Sequence, residues 1–161
     1  MAKNLCLNVG DKAPNFTLKD HNDMNFSLID FKGKKILLSF HPLAWTSVCA
    51  KQMESLESNQ NFFKEYNTVA VGLSVDSVPS KKAWAKSLNI SKTRLLSDFW
   101  PHGNVAKMFG IFREKDGISE RVNIIINEEQ KIESIFLYEL SELPDINEIK
   151  SYIKTMKSFE E

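Results

Sequence analysis

Two of the 161 residues are cysteines, Cys6 and Cys49. Cys49 closes the stretch His41-Pro42-Leu43-Ala44-Trp45-Thr46-Ser47-Val48-Cys49, which follows the apolar run Lys35-Ile36-Leu37-Leu38-Ser39-Phe40. The residues after Thr46 have helical spacing, so Cys49 falls in the first turn of a helix. Unpaired backbone N–H groups and the positive end of the helix dipole lie there. That setting favours a thiolate, which is the nucleophilic form of cysteine. Thr46, at or near the N-cap, has a hydroxyl that can cap the helix or turn toward the sulfur and a bound oxygen. Pro42 has a fixed φ and no N–H, so it can wall a narrow pocket. The same spacing also fits a buried cysteine on the core face of an amphipathic helix, and spacing alone leaves both readings open.

Composition narrows the setting. Lys plus Arg and Asp plus Glu number 21 each, for zero net charge, and the apolar fraction is 42%. No basic excess points to nucleic acid or to an anionic membrane surface. No apolar run approaches the roughly 20 residues needed to span a bilayer. The opening, MAKNLCLNVGDKAP, lacks the apolar core of a signal peptide, so a cytoplasmic location is expected. Two distant cysteines form neither a disulfide framework nor CxxC, and they cannot hold zinc by themselves. His21, His41 and His102 are scattered, so no metal or other cofactor is expected.

The elements that must position Cys49 follow from periodicity. Residues 15–19 and 25–28 alternate polar and apolar around Asp20-His21-Asn22-Asp23, which reads as an N-terminal hairpin. Residues 35–40 read as a buried strand. Cys49, Met53, Leu56 and Phe63 share one face of a following helix. Residues 68–75 form an apolar run typical of a strand covered on both sides. A helix over 76–89, a strand over 94–97 and a short helix over 104–109 follow. Strands over 122–126 and 132–138 flank a tight turn, and Pro144 opens a last helix over 145–157. The order predicts one α/β domain spanning 1–161, a central mixed sheet with helices on both faces, and a flexible segment at 1–8.

Pro42-Leu43-Ala44-Trp45-Thr46-Ser47-Val48-Cys49 matches PxxxTxxC, and in this it resembles the peroxiredoxins, thiol peroxidases of thioredoxin-like fold. Val9-Gly10-Asp11-Lys12-Ala13-Pro14-Asn15-Phe16 and Leu95-Leu96-Ser97-Asp98 resemble two further family stretches. Ser97 to Gly103 looks most like the one-cysteine E-type alkyl hydroperoxide reductases. The resemblance implies that Cys49 is the peroxidatic cysteine. It implies that Thr46 hydrogen-bonds thiolate and peroxide, that Pro42 lines the pocket and that Arg121 stabilises the thiolate. Arg113 is a rival for Arg121, but no apolar strand follows it. The implied partners are a hydroperoxide substrate and an external thiol reductant: a low-molecular-weight thiol, a glutaredoxin-like protein or thioredoxin. A homodimer is also implied, with exposed Trp45, Phe99 and Trp100 at the contact. His41 stands where the family has an aromatic residue, and Gln52 where it often has an acid, which removes the expected salt bridge to Arg121. No cysteine follows residue 49, which favours a one-cysteine cycle with Cys6 idle. The alternatives are Cys6 as an atypical resolving cysteine, or a non-catalytic binding or chaperone module.

Overall fold

The computed structural model describes residues 7–156, so residues 1–6, Cys6 among them, lie outside the described residues, while Leu7 of the segment expected to be flexible packs against the core. Strands β1 (Thr17–Asp20) and β2 (Asn25–Ser27) form the expected hairpin. Its turn is fixed by the Asp20 carboxylate, which accepts from the N–H groups of Asn22 and Met24 at 2.8 and 3.0 Å. A 3-10 turn at Leu28–Phe31 leads into β3 (Lys35–Phe40), buried along its whole length.

The amphipathic segment after β3 is two helices rather than one. Helix α1 (Ser47–Ser58) stops at Asn59 and α2 (Gln60–Glu65) starts there. The Asn59 side-chain amide donates to the Ser55 carbonyl at 2.7 Å, while its backbone N–H turns to Leu56 O at 3.1 Å. A local side-chain bond thus takes the acceptor that a continuous helix would need.

β4 (Thr68–Ser74) is followed by α3 (Val78–Ser87), shorter than expected because Ser77 is its N-cap and Pro79 sits in its first turn. Then come β5 (Arg94–Ser97), α4 (Asn104–Met108), and β6 (Phe112–Arg113) with β7 (Ile118–Ser119), a small separate hairpin. β8 (Arg121–Ile126) and β9 (Ile132–Tyr138) form the expected antiparallel pair. Asp145 caps α5 (Ile146–Thr155).

The strand order is β2-β1-β5-β4-β3-β8-β9. β3, β4 and β5 are parallel, and β8 runs antiparallel to β3. Because side chains alternate faces along a strand, each central strand feeds two cores. Ile36, Leu38, Phe40, Val122, Ile124 and Ile126 pack on the side of α4 and the hairpin. Leu37 and Ile125 pack with Cys49, Met53 and Leu56 of α1, Trp84 and Ala85 of α3, and Ile149 and Ile153 of α5. Gly72 of β4 lies directly under the Met53 thioether, where any Cβ would collide with it, so its missing side chain lets α1 settle onto the sheet. The β3–α1 junction therefore lies at the carboxyl ends of parallel strands, where open α/β sheets bind ligands. β8 begins beside it, because Val122 pairs with Phe40.

Candidate active site

Helix α1 makes its first internal bond from Ala50 N–H to Thr46 O, at 2.9 Å. The N–H groups of Ser47, Val48 and Cys49 therefore precede any intrahelical acceptor. Cys49 occupies that first turn with its side chain 1% exposed. Thr46 is the N-cap by backbone conformation, yet its hydroxyl caps nothing and donates to Leu43 O at 2.8 Å. Pro42 is buried within the same loop. The loop turns at Trp45, which adopts a left-handed φ of 69°. That conformation costs a non-glycine residue about 1–2 kcal/mol. Two bonds hold it: the Trp45 indole N–H donates to Ser80 Oγ at 3.0 Å, and Ala44 N–H donates to Asp76 Oδ2 at 2.8 Å.

Arg121 reaches Cys49 from β8. Its alternation with Val122 places it on the α1 side of the sheet, with Asn123 and Ile125. Nη1 donates to Cys49 Sγ at 3.3 Å and to Gln52 Oε1 at 2.6 Å, while Nε and Nη2 donate to Leu140 O at 3.0 and 2.7 Å. Gln52 does not leave the arginine loose. Its amide nitrogen donates in turn to Ser39 Oγ at 2.7 Å and to Phe40 O at 3.2 Å. One neutral amide thus ties α1, β3 and the guanidinium together. The expected salt bridge is replaced by a hydrogen bond that brings no negative charge.

A second buried cation lies behind the loop. Lys81 of α3 is fully buried. Its ammonium donates to His41 Nε2 at 3.2 Å and to Ser74 Oγ. Ser74 Oγ donates to Asp76 Oδ2 at 2.6 Å, the carboxylate oxygen that also accepts from Ala44. With Nε2 accepting, His41 Nδ1 carries the proton and faces Ser39 O at 3.4 Å. Burial and the neighbouring Lys81 hold His41 well below the ordinary histidine range, so the ring is neutral. Burial pulls Lys81 down from 10.5 to about 7, against the opposing pull of Asp76, Cys49 and Asp98.

Of the residues singled out from the sequence, Cys49 and Arg121 are in direct contact, and Thr46 and Pro42 belong to the loop that opens the Cys49 helix. Arg113 is elsewhere, paired with Asp116 at 2.6 Å and Glu120 at 3.3 Å. His102 bonds Gly117 O at 2.7 Å. Ser74, Asp76 and Lys81 went unnoticed, and Gln52 was read as a loss. A signal for Lys81 existed in the sequence: it precedes Trp84 and Ala85 by three and four positions, which puts it on their apolar face. A surface cavity of about 520 Å³ includes Leu140, Arg113 and Tyr138 but not Cys49. Among the described residues, no helix is long and apolar enough to cross a membrane.

A mixed α/β sheet carries a buried thiol at a helix start that is met by a guanidinium, an arrangement suited to thiol chemistry. The chain matches the AhpC/TSA family over residues 9–135. It is 38% identical over 122 residues to alkyl hydroperoxide reductase E of Mycobacterium tuberculosis, covering 75% of this chain and 79% of that one. It is 38% identical over 140 residues to the putative peroxiredoxin bcp of Haemophilus influenzae, covering 81% and 86%. The reduced 2-Cys peroxiredoxin of Plasmodium vivax superposes with a TM-score of 0.84 at 27% identity, over 91% of this chain and 80% of that one. The chain belongs to the AhpC/TSA family. It is a peroxiredoxin, a thiol-dependent peroxidase of thioredoxin-like fold.

Replacing Gln52 by leucine keeps the side-chain volume but strips an acceptor from Arg121 and a donor from Ser39 and Phe40. Leaving buried polar groups unpaired costs about 1–3 kcal/mol. Urea denaturation should show the Gln52→Leu midpoint lowered accordingly; an unchanged midpoint would mean that water or a rearranged neighbour satisfies these groups.

Proposed function

We propose that Cys49 is the peroxidatic nucleophile of a one-cysteine cycle acting on hydrogen peroxide and organic hydroperoxides. The 3.3 Å contact between Arg121 Nη1 and Cys49 Sγ at the start of α1 carries this reading. The thiolate sulfur attacks the terminal peroxide oxygen, an S–O bond forms and the O–O bond breaks. The sulfur is oxidised to sulfenic acid while the peroxide is reduced. The leaving oxygen takes a proton from solvent and departs as water or an alcohol. Negative charge moves from the sulfur toward that leaving oxygen, so donors already aimed at the site stabilise the transition state without reorganising. Arg121, the orphan N–H groups of the α1 first turn and the Thr46 hydroxyl fill that role. The Thr46 hydroxyl reaches it by turning from Leu43 O. Pro42 walls the pocket.

The sulfenic acid is then reduced by an external thiol, for which a low-molecular-weight thiol, a glutaredoxin-like protein and thioredoxin are the candidate classes. No cysteine follows Cys49 in the chain. The relative named alkyl hydroperoxide reductase E supports an alkyl hydroperoxide among the substrates. Residues 1–161 are read as one peroxiredoxin domain acting in the cytoplasm. Trp45, Phe99 and Trp100 are 56, 50 and 82% exposed, and large exposed aromatics in loops beside a site favour a homodimer contact.

One equivalent of hydrogen peroxide should add a single oxygen to the intact protein, trapped by dimedone at Cys49, and Cys49→Ser should take up none and turn over no peroxide. A Cys6–Cys49 disulfide in the product would replace the one-cysteine cycle with a two-cysteine one, and an inert Cys49 would favour the binding module.

Removing one preorganised donor costs on the order of a hundredfold in rate. Arg121→Ala should therefore slow stopped-flow oxidation about that much, while Arg113→Ala stays near wild type. Equal rates in all three proteins would remove Arg121 from the site.

Light scattering at high micromolar concentration should give twice the monomer mass, falling toward the monomer in Trp100→Glu. A monomeric wild type would overturn the dimer.

A further inference from the structure

A lysine that is fully buried and has two neutral partners is unusual, because a buried charge is costly unless the structure compensates it. Lys81 is compensated at one remove. Its ammonium donates to His41 Nε2 at 3.2 Å and to Ser74 Oγ. Ser74 passes the bond on to Asp76 Oδ2 at 2.6 Å, and the same oxygen accepts from Ala44 N–H at 2.8 Å. Both ends of this chain reach the loop that carries Pro42 and Thr46: His41 directly precedes Pro42, and Ala44 precedes the strained Trp45. The titratable groups that face Lys81 come from every element around it: Asp76 after β4, Cys49 of α1 and Asp98 after β5, with His41 after β3 and His21 after β1. Cys49 is the one among them that peroxide chemistry converts from an anion to a neutral group.

We propose that Lys81 is a positioning residue of the peroxidatic centre: its buried ammonium braces the Pro42–Thr46 loop through His41, Ser74 and Asp76, and supplies a positive charge that favours the Cys49 thiolate. This rests on the reading of Cys49 as the nucleophile. Two consequences follow. The ammonium charge is present only while Lys81 is protonated, and burial brings its titration to about 7, above which the neutral amine keeps its N–H donors but not the charge. As pH rises through that value the site loses a cation, and the bond to His41 Nε2 loses its charge. Linkage also makes the coupling reciprocal: if Lys81⁺ favours the thiolate, the thiolate must favour Lys81⁺ by the same factor.

The test uses the full chain. Thiolate absorbance near 240 nm and stopped-flow oxidation by hydrogen peroxide are followed against pH in wild type and Lys81→Met. In wild type the oxidation rate, taken per thiolate from the absorbance, should fall as Lys81 deprotonates near pH 7. Lys81→Met should lose the falling limb, hold less thiolate at pH 7 and react about tenfold more slowly there. Lys81→Arg, which keeps the charge, should regain part of the thiolate fraction. A Lys81→Met profile that overlays wild type in shape and height would overturn the proposal.

Should Lys81→Met fail to fold, the Lys81 ammonium is titrated by NMR in wild type and in Cys49→Ser. Loss of the thiolate should move Lys81 to lower pH, and identical titrations would overturn the proposal equally. These readouts are thiolate absorbance and lysine titration rather than turnover. They can therefore fail while the mass spectrum still shows oxygen on Cys49, which separates the failure of this inference from the failure of the nucleophile assignment.

Discussion

The site is organised around a buried guanidinium that, among the described residues, meets no carboxylate. Arg121 is 3% exposed, and its partners are the Leu140 carbonyl, the Gln52 amide oxygen and the Cys49 sulfur. Carbonyl and amide oxygens orient a cation without cancelling its charge. The anion that would match Arg121 is the sulfur in its thiolate form. A glutamate at position 52 would have met the guanidinium with a full negative charge and competed with the sulfur for it. The neutral glutamine satisfies the hydrogen bond and leaves the charge to the thiol. Breaking such an arrangement from either side strands a buried charge or polar group, which costs more than an ordinary surface contact contributes.

The fold can be seen as the frame that makes this contact possible. Arg121 can meet Cys49 only if β8 lies antiparallel to β3 in the register that pairs Val122 with Phe40, because one residue of slip would turn Arg121 into the opposite core. Cys49 can meet it only if α1 lies close to the sheet, which Gly72 permits by presenting no side chain under Met53. Gln52, one turn further along α1, then locks that spacing by bonding Ser39 and Phe40 of β3 and Arg121 of β8 together. Backbone register, a missing side chain and one amide converge on a single distance.

Much of this was legible in the residues. The 3.6-residue period after Thr46 put Cys49 in a first helical turn, and Arg121 stood at the opening of the strand read over 122–126. The hairpin, the parallel centre and the final antiparallel pair followed from pattern, and the resemblance to peroxiredoxins gave the site its names. Other features were not legible, each for a physical reason. The break at Asn59 was hidden because the apolar period continues to Phe63, and only a local side-chain bond ends α1. The hairpin at Phe112–Ser119 has strands of two residues, too short to show alternation. Gln52 read as a deficit because sequence reports which charge is lost, and only coordinates report which hydrogen bonds remain. Cys6 lies outside the described residues, so the choice between one- and two-cysteine cycles rests on chemistry rather than on geometry.

Lys81 is the most instructive of these. Lys82, the next residue along α3, is exposed, whereas Lys81 is buried. The helix separates the two by about 100° and carries Lys81 onto the face of Trp84 and Ala85. There it meets His41, at the position where a family aromatic would have filled the same space without a lone pair. Lys81 and His41 belong together: an aromatic hydrocarbon would leave the ammonium one acceptor short, whereas a neutral imidazole accepts its bond and lies tilted against Trp84, with ring centroids 5.4 Å apart. His41 and Gln52 are then the same kind of substitution on either side of the β3–α1 junction. Each places a neutral hydrogen-bonding group against a buried cation and so orients that cation without cancelling its charge.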